Sequence, residues 1–173
     1  MYDTITTKPQ KYSYDSISAL IDSLDDASVK FNKDGTMLKT GSYNHVRLFL
    51  TQGMLAVNFN PNKIINGTNE IDAPISSLND VLTSLEDWLG IDLHNAPVSR
   101  LDFGKTIAVC EKPHKYIELL AHCSRAKKSC YENETLVFAN GIKKIMFYDK
   151  GLEIEAKKIE LFTSTARSQF IKV

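Results

Sequence analysis

Cysteine is scarce. Cys110, Cys123 and Cys130 are the three thiols in 173 residues, an odd number with no C-x-x-C spacing. That excludes a disulfide framework and a thiolate zinc site, and leaves these residues to pack as small apolar groups. Net charge is lacking too. Lysine plus arginine number 21 and aspartate plus glutamate 21, so no overall field draws the chain to nucleic acid or to an anionic membrane, and any polyanion site has to be a local patch. Apolar runs are only a few residues long, and the opening MYDTITTKPQ lacks the charged-then-apolar order of a signal peptide. Neither a membrane span nor export is expected, and a cytoplasmic location follows by default. No low-complexity linker interrupts the chain, so a single domain over 1–173 is expected.

What is present is ordinary globular composition, 43% apolar and 24% charged, enough for one full hydrophobic core. Tyr2 to Thr7 reads as a strand, and Ile17, Leu20, Ile21 and Leu24 recur at helical spacing after the caps Ser13 and Asp15. Thr36 to Tyr43, Val46 to Thr51 and Met54 to Asn60, flanked by the turn pairs Asp34-Gly35 and Gln52-Gly53, predict an antiparallel meander. A loop, PNKIINGTN, leads to a second helix near Ser76 to Leu89, whose apolar stripe includes Leu78, Val81, Leu82, Leu85, Trp88 and Leu89. The second half repeats the theme. Val98 to Cys110 reads as a long strand, Pro113 to Ser124 as a helix, and Thr135 to Ala139 with Ile142 to Tyr148 as a hairpin turning at Asn140-Gly141. A last helix is expected from about Gly151, and the segment LFTSTARSQFIKV shows no period. The expected fold is α+β: a single antiparallel sheet with helices mainly on one face, with two ferredoxin-like halves as a further option.

Two strands carry chemistry. In VSRLDFGKTIAV the alternation of side chains puts Leu101, Phe103, Ile107 and Val109 on one face and Arg100, Asp102, Gly104 and Thr106 on the other. An exposed cross-strand ion pair is one reading; a ligand lying on that face is the other, since Gly104 leaves space beside Asp102. In IKKIMFYDK, Tyr148 shares a face with Lys144 and Lys150. Nearby ammonium groups stabilise phenolate and attract phosphate. A tyrosine so placed either packs with its hydroxyl in water or attacks a phosphodiester, storing the bond energy in a phosphotyrosyl linkage. Such attack ordinarily uses a divalent ion, magnesium or manganese, held by carboxylates. Asp102 is the leading candidate ligand, with Glu153 and Glu155 as additions.

Three segments in fixed order, NPNKIINGTN at 60 to 69, VSRLDFGKTI at 98 to 107 and TLVFANGIKKIMFYDKGLEIE at 135 to 155, resemble the replication initiators of filamentous phages and related plasmids, the gene II and gene X type. The match spans roughly Met54 to Glu155. That family consists of site-specific single-strand endonucleases that nick supercoiled replicative DNA, join the 5′ phosphate to a tyrosine and later reseal the strand. The resemblance implies Tyr148 as nucleophile with Lys150 as its electrostatic partner, Asp102 as a metal-site carboxylate beside Arg100, and Lys63, Gly67 and Asn69 as a phosphate-holding loop. It implies origin DNA as partner, single-stranded or supercoiled, and the cytoplasm of a bacterial host as location. The chain departs from the family where Thr68 replaces the loop histidine, and His45, His94, His114 and His122 include no pair separated by one residue that would restore a histidine metal site. Family members also continue beyond the tyrosine segment, so the chain corresponds to their catalytic part, as a truncated, short or decayed form.

Two basic clusters are candidate DNA grips: Arg125, Lys127 and Lys128, expected in a loop, and Lys143 and Lys144 near the tyrosine. The alternatives to a rolling-circle nicking and joining enzyme are a noncatalytic module that holds single strands on an open sheet face, and a structural or interaction domain with a decayed site. The catalytic reading requires Asp102 and Tyr148 on neighbouring strands facing one cleft.

Overall fold

The computed structural model describes residues 2–68, 73–120, 122–131, 135–152 and 170–172. The chain divides into two compact units, Met1–Phe103 and Gly104–Val173.

The first unit is assembled around one face of a six-stranded antiparallel sheet. Its elements run β1 (Tyr2–Thr7), α1 (Tyr14–Asp22), β2 (Ser28–Phe31), β3 (Met37–Tyr43), β4 (Val46–Thr51), β5 (Met54–Phe59), α2 (Pro61–Asn66), α3 (Ser77–Leu89) and β6 (Val98–Phe103), and the strand order is β2-β3-β4-β5-β1-β6. Strands β4, β5, β1 and β6 with their helices form two interleaved split β-α-β units, the ferredoxin-like half anticipated from sequence; β2 and β3 widen the sheet beyond β4. Alternate residues Val46, Leu48 and Leu50 of β4 and Leu55, Val57 and Phe59 of β5 meet Ile17 and Ile21 of α1 and Val81, Leu85 and Leu89 of α3 in one buried core. Both helices therefore cover the same face.

Local signals explain the boundaries. Ser13 Oγ accepts the Ser16 N–H at 3.3 Å, capping α1 as expected. The stretch expected as a loop at Asn60 begins with a helix, because Asn60 Oδ1 accepts the Lys63 N–H at 3.0 Å, Pro61 occupies the first turn and Gly67 closes the helix at φ 69°. Lys39 Nζ clamps α1 to β3 through Asp22 and Ser18, each at 2.7 Å. Gly41 is where β3 passes closest to α1: a Cβ there would stand 2.9 Å from Leu24 Cδ1 and 3.2 Å from Ile21 Cγ2. Trp88 is half-buried rather than central, tilted against Tyr43 at 5.3 Å between ring centroids.

The second unit holds β7 (Thr106–Ala108), α4 (Pro113–Leu119), β8 (Lys127–Tyr131), β9 (Thr135–Asn140), β10 (Lys143–Asp149) and β11 (Phe170–Lys172) in the order β7-β11-β10-β9-β8. Ile117 of α4 packs with Leu136 and Phe138 of β9, joined by Phe147, Leu120, Cys123 and Ala126. Gly141, at φ 53°, turns the β9–β10 hairpin where Asn140-Gly141 predicts it.

The α+β class and the antiparallel pairing are as expected; the single sheet is not. The long strand expected from Val98 to Cys110 breaks at Gly104, β6 pairing with β1 and β7 with β11, since a glycine offers no side chain to hold the chain in one ladder. Cys110 and Cys130 are exposed, and only Cys123 is drawn against a core. No helix among the described residues is long and apolar enough to cross a membrane.

Gly41→Val should destabilise the first unit by about 1–3 kcal/mol through overpacking against α1, read as a fall in the urea midpoint. A second expectation concerns Glu86, whose Oε1 accepts the N–H groups of Leu93 and His94 at 2.6 and 2.8 Å while Oε2 meets His94 Nδ1 at 2.8 Å. The His94 N–H foremost holds this carboxyl below the ordinary glutamate value of 4.5. A lowered folded-state pKa stabilises the fold above the ordinary carboxylate range and loses that contribution as pH falls through it. Glu86→Gln should therefore lower the thermal midpoint at neutral pH and flatten its decline in acid, measured by melting curves between pH 7 and 3.

Candidate nucleic-acid interface

Because α1 and α3 occupy one face of the six-stranded sheet, side chains of opposite parity face away from the core. Register turns these into a row. Ser42 of β3 pairs with Arg47 of β4, Arg47 with Asn58 of β5, Asn58 with Thr6 of β1, and Thr6 with Arg100 of β6. Five strands thus contribute five polar residues, two of them arginines. Asn58 Nδ2 donates to Thr6 Oγ1 at 2.8 Å, tying the middle of the row together. Phe49 lies two residues beyond Arg47 on the same face, half-buried, opposite Thr40 and Ala56.

Arg100 and Asp102 stand together on this face, as the alternation predicts. The guanidinium straddles the carboxylate: Nε donates to both oxygens at 3.0 Å, and Nη2 to Oδ2 at 2.6 Å. The hydrogen bonds to Asp102 raise the pKa of Arg100 further. Both side chains remain substantially exposed, 64% and 36%, so the pair rigidifies the edge strand without anchoring the fold. A metal ion at Asp102 would have to displace this guanidinium. Glu153 and Glu155, the other expected ligands, lie outside the described residues. Among the described residues, no group of three or more His, Cys, Asp or Glu side chains is placed to hold an ion. The residues described therefore do not by themselves fit a divalent centre.

The loop expected to grip phosphate is organised differently. The Lys63 N–H is taken by Asn60 and the Gly67 N–H by the Lys63 carbonyl at 2.9 Å, so the helical turn itself consumes both donors. Asn69 lies outside the described residues.

In the second unit the hairpin gives Tyr148 a defined orientation. Leu136 and Phe138 enter the core, and Phe147 packs against it opposite Leu136. By alternation Tyr148, Met146 and Lys144 point to the other face, away from α4. Tyr148 is half-buried, paired in register with Thr135 and Lys172. Lys143 and Lys144 are exposed. Lys150 is buried, 6% exposed, at the start of the helical residues 150–152, where Asp149 Oδ1 accepts the Gly151 and Leu152 N–H groups at 2.8 and 3.2 Å; the helix expected from about Gly151 begins here, and its continuation lies outside the described residues. Lys127 and Lys128 belong to β8 rather than to a loop; Lys128 Nζ donates to the Leu120 carbonyl at 2.9 Å, and Arg125 adopts φ 60° just before the strand. The tyrosine and the acid are not on neighbouring strands: β6 and β10 belong to different sheets.

Sequence reasoning passed over Arg47, Asn58 and Thr6. The available signal was an arginine interrupting an otherwise apolar strand, VRLFLT; what it missed is register, which only strand pairing supplies. No protein-family model matches the chain, and a search of curated proteins returns no relative.

The exposed Arg100–Asp102 pair should show a coupling of only about 0.2–1 kcal/mol in a double-mutant cycle with alanine, measured by urea denaturation. A coupling several times larger would make it a brace of the fold instead of an available surface.

Proposed function

We propose that the chain is a DNA nicking and joining enzyme of the rolling-circle initiator type, with Tyr148 as nucleophile. In this form the reading gives up the shared cleft with Asp102, whose strand β6 is in a different sheet from β10, and rests on the tyrosine without that acid. The phenolic oxygen gives up its proton and attacks a backbone phosphorus of a single strand. The 3′ oxygen leaves, so the 5′ phosphate remains esterified to the tyrosine and a free 3′ hydroxyl is released; attack by a 3′ hydroxyl on the phosphotyrosyl bond reverses the step and rejoins the strand.

The reading is carried by one observation: by alternation Tyr148, half-buried, stands on the face of β10 opposite Phe147 and the α4 core, a face it shares with buried Val137 and, four residues away, with exposed Lys144. It is supported by the order of the three segments that resemble the phage initiators. Electrostatic help for the pentacovalent phosphate falls to Lys144, the exposed ammonium group on the same face of the strand, whose long stem has to reach along about 13 Å of strand. Lys143, by alternation, faces the other side.

A noncatalytic single-strand binding module is the second reading. It is favoured by the Arg100–Asp102 pair, in which both carboxylate oxygens are already engaged.

Incubating the protein with a labelled pool of single-stranded oligonucleotides, in magnesium and in manganese, separates the two. The nicking reading expects a covalent adduct on denaturing gels that disappears in Tyr148→Phe, a loss of at least about 1,000-fold, while the circular dichroism spectrum is unchanged. An adduct that persists in Tyr148→Phe removes the tyrosine from the chemistry. Salt-sensitive binding without any adduct leaves the binding module.

A further inference from the structure

The turn joining β3 to β4 is conformationally costly. Asn44 and His45 both have positive φ, 44° and 65°, the geometry of a type I′ hairpin turn, in which asparagine followed by glycine is the favoured pair. Asparagine tolerates this region; a histidine Cβ is strained in it. His45 is exposed, so core packing does not compensate for the strain. With Ser42, Arg47 and Asn58 it lines an open cleft of about 340 Å³ at the end of the polar row.

Two donors of that cleft, Arg47 and Asn58, are available, while Ser42 is taken. The Arg47 side chain is exposed and makes no hydrogen bond or ion pair among the described residues. Asp26, the acid that acts on it, is already engaged by Ser42, whose N–H donates to Oδ1 at 2.6 Å and whose Oγ donates to Oδ2. Asn58 gives one amide hydrogen to Thr6, leaving its second hydrogen for a ligand. Away from the cleft the row continues to Arg100, three strands and about 14 Å from Arg47 at the usual strand spacing. Lys30 of β2 shares the face, by the parity that pairs Ser28 with Thr40. Acids stand near both ends of the row: Asp26 is engaged by Ser42, Asp102 is paired with Arg100, and Asp3 also acts on Arg100. A concave cluster of donors with an arginine at its centre, opening onto a flat polar row with one aromatic ring, matches a chain of phosphates carrying stackable bases.

We propose that the cleft at the β3–β4 turn is a phosphate-binding subsite for single-stranded DNA, and that the strand runs from it along Arg47, Asn58, Thr6 and Arg100 with a base against Phe49. The ligand class comes from the nicking reading, but the subsite requires no cleavage.

Fluorescence anisotropy with a labelled oligo(dT), at several salt concentrations, tests this on the full chain. Arg47→Ala should weaken binding about 10- to 100-fold, the worth of a charged hydrogen bond to phosphate, and should reduce the salt slope by about 0.7, one phosphate contact on a single strand. Arg47→Gln, which keeps the stem that covers the sheet, should lose nearly as much. His45→Gly should weaken binding several-fold while raising the melting temperature, the reverse of what a structural histidine would do. Lys115→Ala, on the surface of α4, should bind as the parent does. The proposal is overturned if both Arg47 variants bind within twofold of the parent, if Lys115→Ala loses as much as they do, or if duplex DNA or single-stranded RNA of equal length binds more tightly than oligo(dT). Arg47-dependent binding in a protein that forms no Tyr148 adduct upholds the subsite and removes the nicking reading alone.

Discussion

The burial of β4 and β5 against α1 and α3 is the constraint on which the first unit rests. Leu48, Leu50, Leu55, Val57 and Phe59 are fully buried on one side of the sheet, each contributing about 1.5–3 kcal/mol in removal from water. A strand that commits one parity of side chains to a core has committed the other parity to the opposite side. Once Val46, Leu48 and Leu50 are inside, Arg47 and Phe49 are outside, and the same holds for Asn58 between Val57 and Phe59. The polar row is therefore a by-product of packing that only residue choice can turn to use. A sheet face serving solvent alone needs neither two arginines in one register line nor an amide-to-hydroxyl bond joining adjacent strands.

The second unit uses the same strand order. Read from the far edge, β2-β3-β4-β5-β1 in the first unit corresponds to β8-β9-β10-β11-β7 in the second, with α1 and α4 each following the first strand of its unit. The hairpins β3–β4 and β9–β10 agree in detail. Both have two-residue connections, Tyr43 pairing with Val46 and Asn140 with Lys143, and both send the third and fifth residues of the second strand, Leu48 and Leu50 or Ile145 and Phe147, to the helix side. By that alignment Arg47 and Lys144 are counterparts, as are Thr51 and Tyr148. Each unit thus places a cation on the face opposite its first helix, and the second adds a phenol there.

Much of this was legible in the sequence, and the failures share a cause. The Ser13 cap, the meander from Met37 to Phe59, the stripe of α3 and the Asn140-Gly141 turn are local signals that the structure honours. The strands β2, β8 and β11 escaped because they are short: SVKF alternates over only four residues, and KKSCY and FIK carry no clean alternation, so pairing stabilises them more than propensity does. The helix α2 was hidden because Asn60-Pro61 signals both a turn and a capped helix start. Arg100 and Asp102 were read as sharing a face because that follows from spacing within one strand. The line from Ser42 to Arg100 joins residues up to 94 positions apart from Arg100 back to Thr6, and no local pattern encodes which strand becomes whose neighbour.

The position of β1 inside its sheet, between β5 and the edge strand β6, has a consequence for synthesis. Among the described residues its ladder partners are β5 and β6, so as the polypeptide leaves the ribosome this strand waits without a mate until residues 54–59 emerge, and its second edge stays bare until residues 98–103 follow. Local hairpins such as β3–β4 close early, whereas closure around β1 bears the entropy of a long loop and comes late. Throughout that interval an unpaired edge is open to other nascent chains, which makes shielding by a chaperone most valuable to β1.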